Sequence, residues 1–133
     1  VDPRLRDQIW LKLIGNAAFN PVSVLTRATL AQLGELPEMR TVLRALLEEG
    51  AAVANALGVT LPVSIDRRLE AGFEVGEHKT SMLQYLEAGR PMELDAVVGA
   101  VVELGDRLGI PMPATRAVYA CAKLLDRNAR ARG

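Results

Sequence analysis

The chain has 133 residues, half of them hydrophobic and 24% charged, with 16 basic residues cancelling 16 acidic ones. That balance excludes a disordered chain and leaves no overall field to recruit nucleic acid or an anionic membrane. One cysteine, Cys121, and one histidine, His78, exclude an internal disulfide, a Cys-based metal site and a His-rich one.

The apolar residues recur at helical spacing, and no stretch alternates as a strand does. A first helix is predicted from Asp2 to Phe19, with Asp2 as N-cap and Pro3 in the first turn. Pro21 should close it, because the residue before a proline avoids helical backbone. A shorter helix is expected from Asn20 to Ala28, then a weak helical turn over Thr29 to Leu36. The clearest helix runs from Pro37 to Leu57, with Gly58 at its left-handed C′ position. Its apolar face holds Val42, Leu43, Leu46, Leu47, Ala51, Val53 and Ala54. Ser64 caps a helix to Phe73. Ser81-Met82-Leu83-Gln84 reads as a capping box with Ser81 as the cap. Pro91 then opens a helix to Leu108 with Glu93 and Asp95 in its first turn, and Gly99 and Gly105 inside it suggest close packing. A last helix spans Ala114 to Asn128, and the basic tail from Arg127 to Arg132 should fray. The expected fold is all-α, a compact single-domain bundle of six or seven helices over residues 1–133.

No segment is long and apolar enough to span a membrane, no signal-peptide pattern opens the chain, and neither G-x-G-x-x-G nor a P-loop occurs. On the first helix, Lys12, Asn16 and Asn20 form one polar stripe, each advancing only about 40° from the last. Apolar residues cover most of the remaining surface, the pattern of a buried helix. A buried stripe of an ammonium and two amides needs partners, which argues for a polar pocket. The alternative has Lys12 snorkelling to water and the asparagines capping the next junction. Ser81 and Glu93 are equally explained as helix-start residues. His78 reads as a solvated loop residue, Cys121 as a small core residue, and Asp66-Arg67-Arg68 as a weak anion-binding candidate.

Three segments taken together go further. Trp10 to Pro21 carries the pattern W-x-K-x-x-x-N-x-x-x-N-P. His78-Lys79-Thr80-Ser81-Met82-Leu83-Gln84 follows, and then Gly89-Arg90-Pro91-Met92-Glu93-Leu94-Asp95 with Gly99-Ala100-Val101-Val102 and Gly109-Ile110-Pro111-Met112-Pro113. In order and separation these resemble the C-terminal domain of the ketopantoate reductase (2-dehydropantoate 2-reductase) family, along nearly the whole chain. The chain departs from the family at Tyr85, where an acidic residue is usual, and at Val98, where an asparagine is.

The resemblance implies a helical domain like the C-terminal domain of 6-phosphogluconate dehydrogenase. A nucleotide-binding domain of the Rossmann type, absent from this chain, would precede it and hold NADPH. No cofactor-binding residue can be assigned in this chain, and no metal is implied. Lys12 would be the general acid on the ketone oxygen and Glu93 would hold a substrate hydroxyl. Asn16 and Asn20 would bind the substrate's polar groups, and Ser81 its carboxylate. The chemistry needs such types: hydride arriving at a ketone leaves an alkoxide, which an ammonium can stabilise and protonate. The implied enzyme is a cytoplasmic NADPH-dependent oxidoreductase of pantothenate and coenzyme A biosynthesis. It would reduce 2-dehydropantoate or a related 2-keto acid to the 2-hydroxy acid.

The chain opens on Val1, so a processed product or a piece of a longer protein is expected. Alone it should be inactive, bind NADPH poorly, and pair into dimers through the face the absent domain would cover. The competing reading is a non-catalytic helical module that binds a partner or dimerises.

Overall fold

A computed structural model describes residues 3–132, so the expected Asp2 cap lies outside the described residues. Among them are seven α-helices and no strand: α1 (Pro3–Thr26), α2 (Leu30–Leu33), α3 (Pro37–Ala56), α4 (Ile65–Glu74), α5 (Ser81–Glu87), α6 (Ala100–Leu108) and α7 (Pro113–Arg132). A π-helical turn, Asp95–Gly99, leads directly into α6. Among the described residues no helix is long and apolar enough to cross a membrane.

The axis of the bundle is α1, which packs against α3, α5, α7 and the π turn. It does not stop at Pro21 but runs through it to Thr26, absorbing the separate helix expected from Asn20. An interior proline forfeits one backbone hydrogen bond and crowds the preceding turn. Here that penalty is offset by burial, because Phe19, Val22 and Val24 are all at most 3% exposed. The Ser23 hydroxyl also donates to the Asn20 carbonyl. The N-terminal half of α1 is less buried than its apolar circumference suggested, with Leu5 55% and Ile9 57% exposed.

Ile14, Ala18, Phe19 and Val22 of α1 join Leu43, Leu46, Leu47 and Ala51 of α3 and Leu69 and Phe73 of α4 in the main core. Val42, placed on that face by the sequence, is instead exposed. A second cluster gathers Val24, Met82, Leu83, Met92, Leu94, Val98 and Ala122. The interior glycines allow the close packing expected of them: a Cβ on Gly105 would overlap Met112, and one on Gly99 would meet the Tyr119 hydroxyl. On α7 it is Ala122 that is buried, while Cys121 is exposed, correcting its expected core position. The tail expected to fray is helical to Arg132.

Helix α7 is capped from another helix. One Glu49 carboxylate oxygen accepts from the Thr115 N–H at 2.7 Å and its hydroxyl at 2.6 Å, and the other from the Ala114 N–H at 2.9 Å. These are orphan donors of a helix N-terminus, where negative charge is favoured. Glu49→Ala is expected to cost about 1–2 kcal/mol, read as a lowered denaturation midpoint; an unchanged midpoint would mean the cap contributes nothing.

Candidate active site

A cavity of about 230 Å³ lies between α1, α4 and the start of α5. Asn16 and Asn20, one turn apart on α1, face it together with Arg68 of α4 and Ser81 of α5. Asn20 is 8% exposed, yet neither asparagine side chain has a hydrogen-bond partner among the described residues. Their amide atoms are not sealed from solvent and open onto the cavity, where they are positioned to meet a ligand.

The start of α5 differs from expectation in a way that matters here. Its N-cap is Thr80, whose hydroxyl accepts from the Leu83 N–H. The same buried hydroxyl lies 2.6 Å from Ser23 Oγ, tying α5 to α1. Ser81 is therefore the first helical residue, and its hydroxyl is left exposed at the cavity.

The approach of α4 to α1 depends on two glycines. A Cβ on Gly72 would overlap the Phe19 ring, and a Cβ on Gly15 would overlap the Arg68 guanidinium. Gly15 and Phe19 are one turn apart on α1, as are Arg68 and Gly72 on α4, so the two pairs interlock. The Phe19 ring packs edge-on to Phe73 with centroids 5.8 Å apart, and the Arg68 guanidinium lies 5.4 Å from the Phe19 centroid. Burial pulls the Arg68 guanidinium below its ordinary pKa, though guanidinium stays charged at any physiological pH.

The remaining candidates stand apart from this cavity. Lys12 is exposed, one turn before Asn16 on the same side of α1, and has no ion pair among the described residues. Glu93 is exposed in the loop before the π turn and does not line the cavity. It is not in a helix first turn as expected: its φ is +60°, and its carbonyl accepts from the Val97 N–H. Left-handed backbone at a non-glycine residue is strained and clusters at functional sites, as π turns do. Val98 is buried in the second core cluster, and Tyr85 lies beneath the Arg90 guanidinium, so neither departure residue lines the cavity. His78 is an exposed loop residue, as expected.

In the sequence Arg68 stands inside a short charged run, Asp66-Arg67-Arg68, that gives only a weak anion-binding signal. The signal that could have found it is Gly15. A glycine inside a strong helix, between Lys12 and Asn16, marks a close approach by something else.

Tyr119 donates to the Asp95 carboxylate at the mouth of the π turn. Burial first, then this bond and the Asp95 charge, raise its pKa from 10.0 to about 12. A raised tyrosine pKa adds stability that is fully present below pH 10 and is lost as pH climbs through about 12. A tyrosinate absorbance titration should show one tyrosine ionising near pH 12. Asp95→Asn should bring it partway down, since burial remains; an unmoved titration would exclude the Asp95 contribution.

The family described as "Ketopantoate reductase PanE/ApbA C terminal" matches residues 4–126. The 2-dehydropantoate 2-reductase of Mesorhizobium japonicum is 48% identical over 121 residues, covering 91% of this chain and 37% of that protein. A PanE/ApbA family ketopantoate reductase from Ralstonia eutropha superposes with a TM-score of 0.87 at 34% identity, covering 94% of this chain and 42% of that one. A dimeric ketopantoate reductase from Staphylococcus aureus gives 0.77 at 26% identity, covering 94% and 44%. The chain thus spans less than half the length of each of these relatives. With its helical fold, its three motifs and a family match across nearly its whole length, the chain belongs to the ketopantoate reductase family and corresponds to the family's C-terminal domain.

Proposed function

We propose that this domain is the substrate-binding and proton-donating half of an NADPH-dependent 2-keto acid reductase acting on 2-dehydropantoate or a related acid. The observation that carries the reading is the convergence of Asn16, Asn20 and Ser81 on one cavity, a single helical turn from Lys12. The described residues include no glycine-rich turn to cradle a pyrophosphate, so the dinucleotide is held by a separate nucleotide-binding domain. The chemistry such a bound NADPH would supply is a hydride for the keto carbon.

The chain's own residues do the rest. The Lys12 ammonium reaches the ketone oxygen, stabilises the charge that builds there and transfers a proton from Nζ. Asn16 and Asn20 fix the substrate's orientation through amides that add no charge. The Ser81 hydroxyl donates to the substrate carboxylate, and Glu93 accepts from a substrate hydroxyl. Leu5 and Ile9, exposed on the first turns of α1, form apolar surface suited to cover by the nucleotide-binding domain. The two-domain protein pairs as a dimer, as the Staphylococcus aureus relative does.

The test is NADPH oxidation by the protein carrying both domains, assayed with 2-dehydropantoate and a panel of smaller and larger 2-keto acids. Oxidation that depends on a 2-keto acid is expected. A folded protein that oxidises NADPH with none of them would overturn the reading and favour a non-catalytic module.

A further inference from the structure

Four arginines on or beside α4 differ in one respect. Arg44 pairs with Asp66, Arg40 with Glu70, and Arg67 with Glu74. Every acidic residue of α4 is thereby engaged. Arg68 alone of the four has no carboxylate partner among the described residues. It is also the one whose guanidinium lines the cavity with Asn16, Asn20 and Ser81. The fork rests over Gly15, where a Cβ would occupy its place, and one side of it lies against the Phe19 ring.

A half-buried guanidinium without a counter-charge has given up part of its hydration, so an anion that pairs with it there is favoured. The planar fork offers parallel N–H donors that match a carboxylate's two oxygens, and it is already held in place by an aromatic contact, so little rotamer freedom is lost on binding. The neighbouring groups are neutral amides and a hydroxyl. They can read the rest of a small polar molecule but cannot balance its negative charge.

We propose that Arg68 is the charged anchor for the substrate carboxylate, so that Arg68, with Ser81 beside it, restricts the enzyme to 2-keto acids and rejects neutral ketones. This rests on the reductase reading above. It assigns to α4, outside the three family-like motifs, the residue that sets the substrate's charge class.

The test uses the two-domain protein, with Arg68→Met to keep the apolar stem against Phe19, Arg68→Lys to keep the charge without the fork, and Gly15→Ala to displace the guanidinium without altering it. Losing a charge-assisted hydrogen bond corresponds to about a 10- to 100-fold change in binding. Arg68→Met should raise KM for the 2-keto acid by that factor and leave KM for NADPH unchanged. Arg68→Lys should fall between wild type and Arg68→Met, and Gly15→Ala should move in the same direction. Calorimetric binding of oxamate, a non-reacting 2-keto acid mimic, to wild type and Arg68→Met gives a readout that does not need turnover.

An unchanged 2-keto acid KM in Arg68→Met, where the wild type turns over, would overturn the Arg68 assignment and spare the reductase reading. A raised KM for NADPH alone would also overturn it, placing Arg68 on a cofactor phosphate. Oxamate binding lost in Arg68→Met by a protein that reduces no 2-keto acid would uphold the anion anchor and overturn the reductase. Absence of both turnover and oxamate binding in wild type would overturn both. Should Arg68→Met fail to fold, Gly15→Ala decides by the same KM comparison.

Discussion

Lys12→Ala in the two-domain protein is expected to lower kcat by roughly 10²- to 10⁴-fold, the range for a lost general acid, while leaving the fold intact. The fold should survive because Lys12 is exposed and makes no ion pair among the described residues; such surface changes usually stay within about 0.5 kcal/mol. Glu93→Ala supplies the contrast. Its carboxylate would meet a substrate hydroxyl present in ground state and transition state alike, so its loss should raise KM more than it lowers kcat. If both residues were only structural, the ranking would reverse, with Lys12→Ala nearly silent in kinetics. Steady-state rates and a thermal melt on each variant separate the cases. Near-wild-type kcat for Lys12→Ala with 2-dehydropantoate and its relatives would remove Lys12 from the chemistry.

Phe19→Ala is expected to cost about 3–5 kcal/mol, as large-to-small changes at buried aromatic positions do. The Phe19 ring is 3% exposed, meets Phe73 edge-on, fills the space that Gly72 leaves open, and supports the Arg68 guanidinium. One substitution therefore opens a cavity in the main core and removes a wall of the candidate site. Urea denaturation should show the loss as a lower midpoint at unchanged slope. A loss below about 1 kcal/mol would mean that α1 and α4 close the gap by themselves.

The helix boundaries legible in the sequence are those set by local chemistry. Pro37 opens α3, Gly58 follows it with φ +81°, and Ser64 caps α4 through the Arg67 N–H. The misread boundaries are those where distant residues decide. Pro21 carries a local stop signal, but burial of the residues around it keeps α1 continuous to Thr26. Thr80 and Ser81 are near-equal caps by type. The choice falls to Thr80 because Ser23, on another helix, is hydrogen-bonded to it.

The site divides along the same line. The spacing of Lys12, Asn16 and Asn20 is a helix property and shows their common face directly. Glu93 was found as a motif residue, yet its left-handed backbone has no signature in a stretch with proline two residues earlier. The setting of Arg68 depends on which carboxylates its neighbours take, and those pairings span helices: Arg40 and Arg44 reach from α3 to α4.

The most direct measurement is a crystal structure of the two-domain protein with NADPH and oxamate, or with NADP+ and a 2-keto acid. The carboxylate is expected in the cavity between Arg68 and Ser81, with the amides of Asn16 and Asn20 on the ligand and the keto or amide oxygen within hydrogen-bond reach of Lys12 Nζ. A ligand bound outside the cavity between α1, α4 and α5, with Lys12 turned to solvent, would contradict this arrangement.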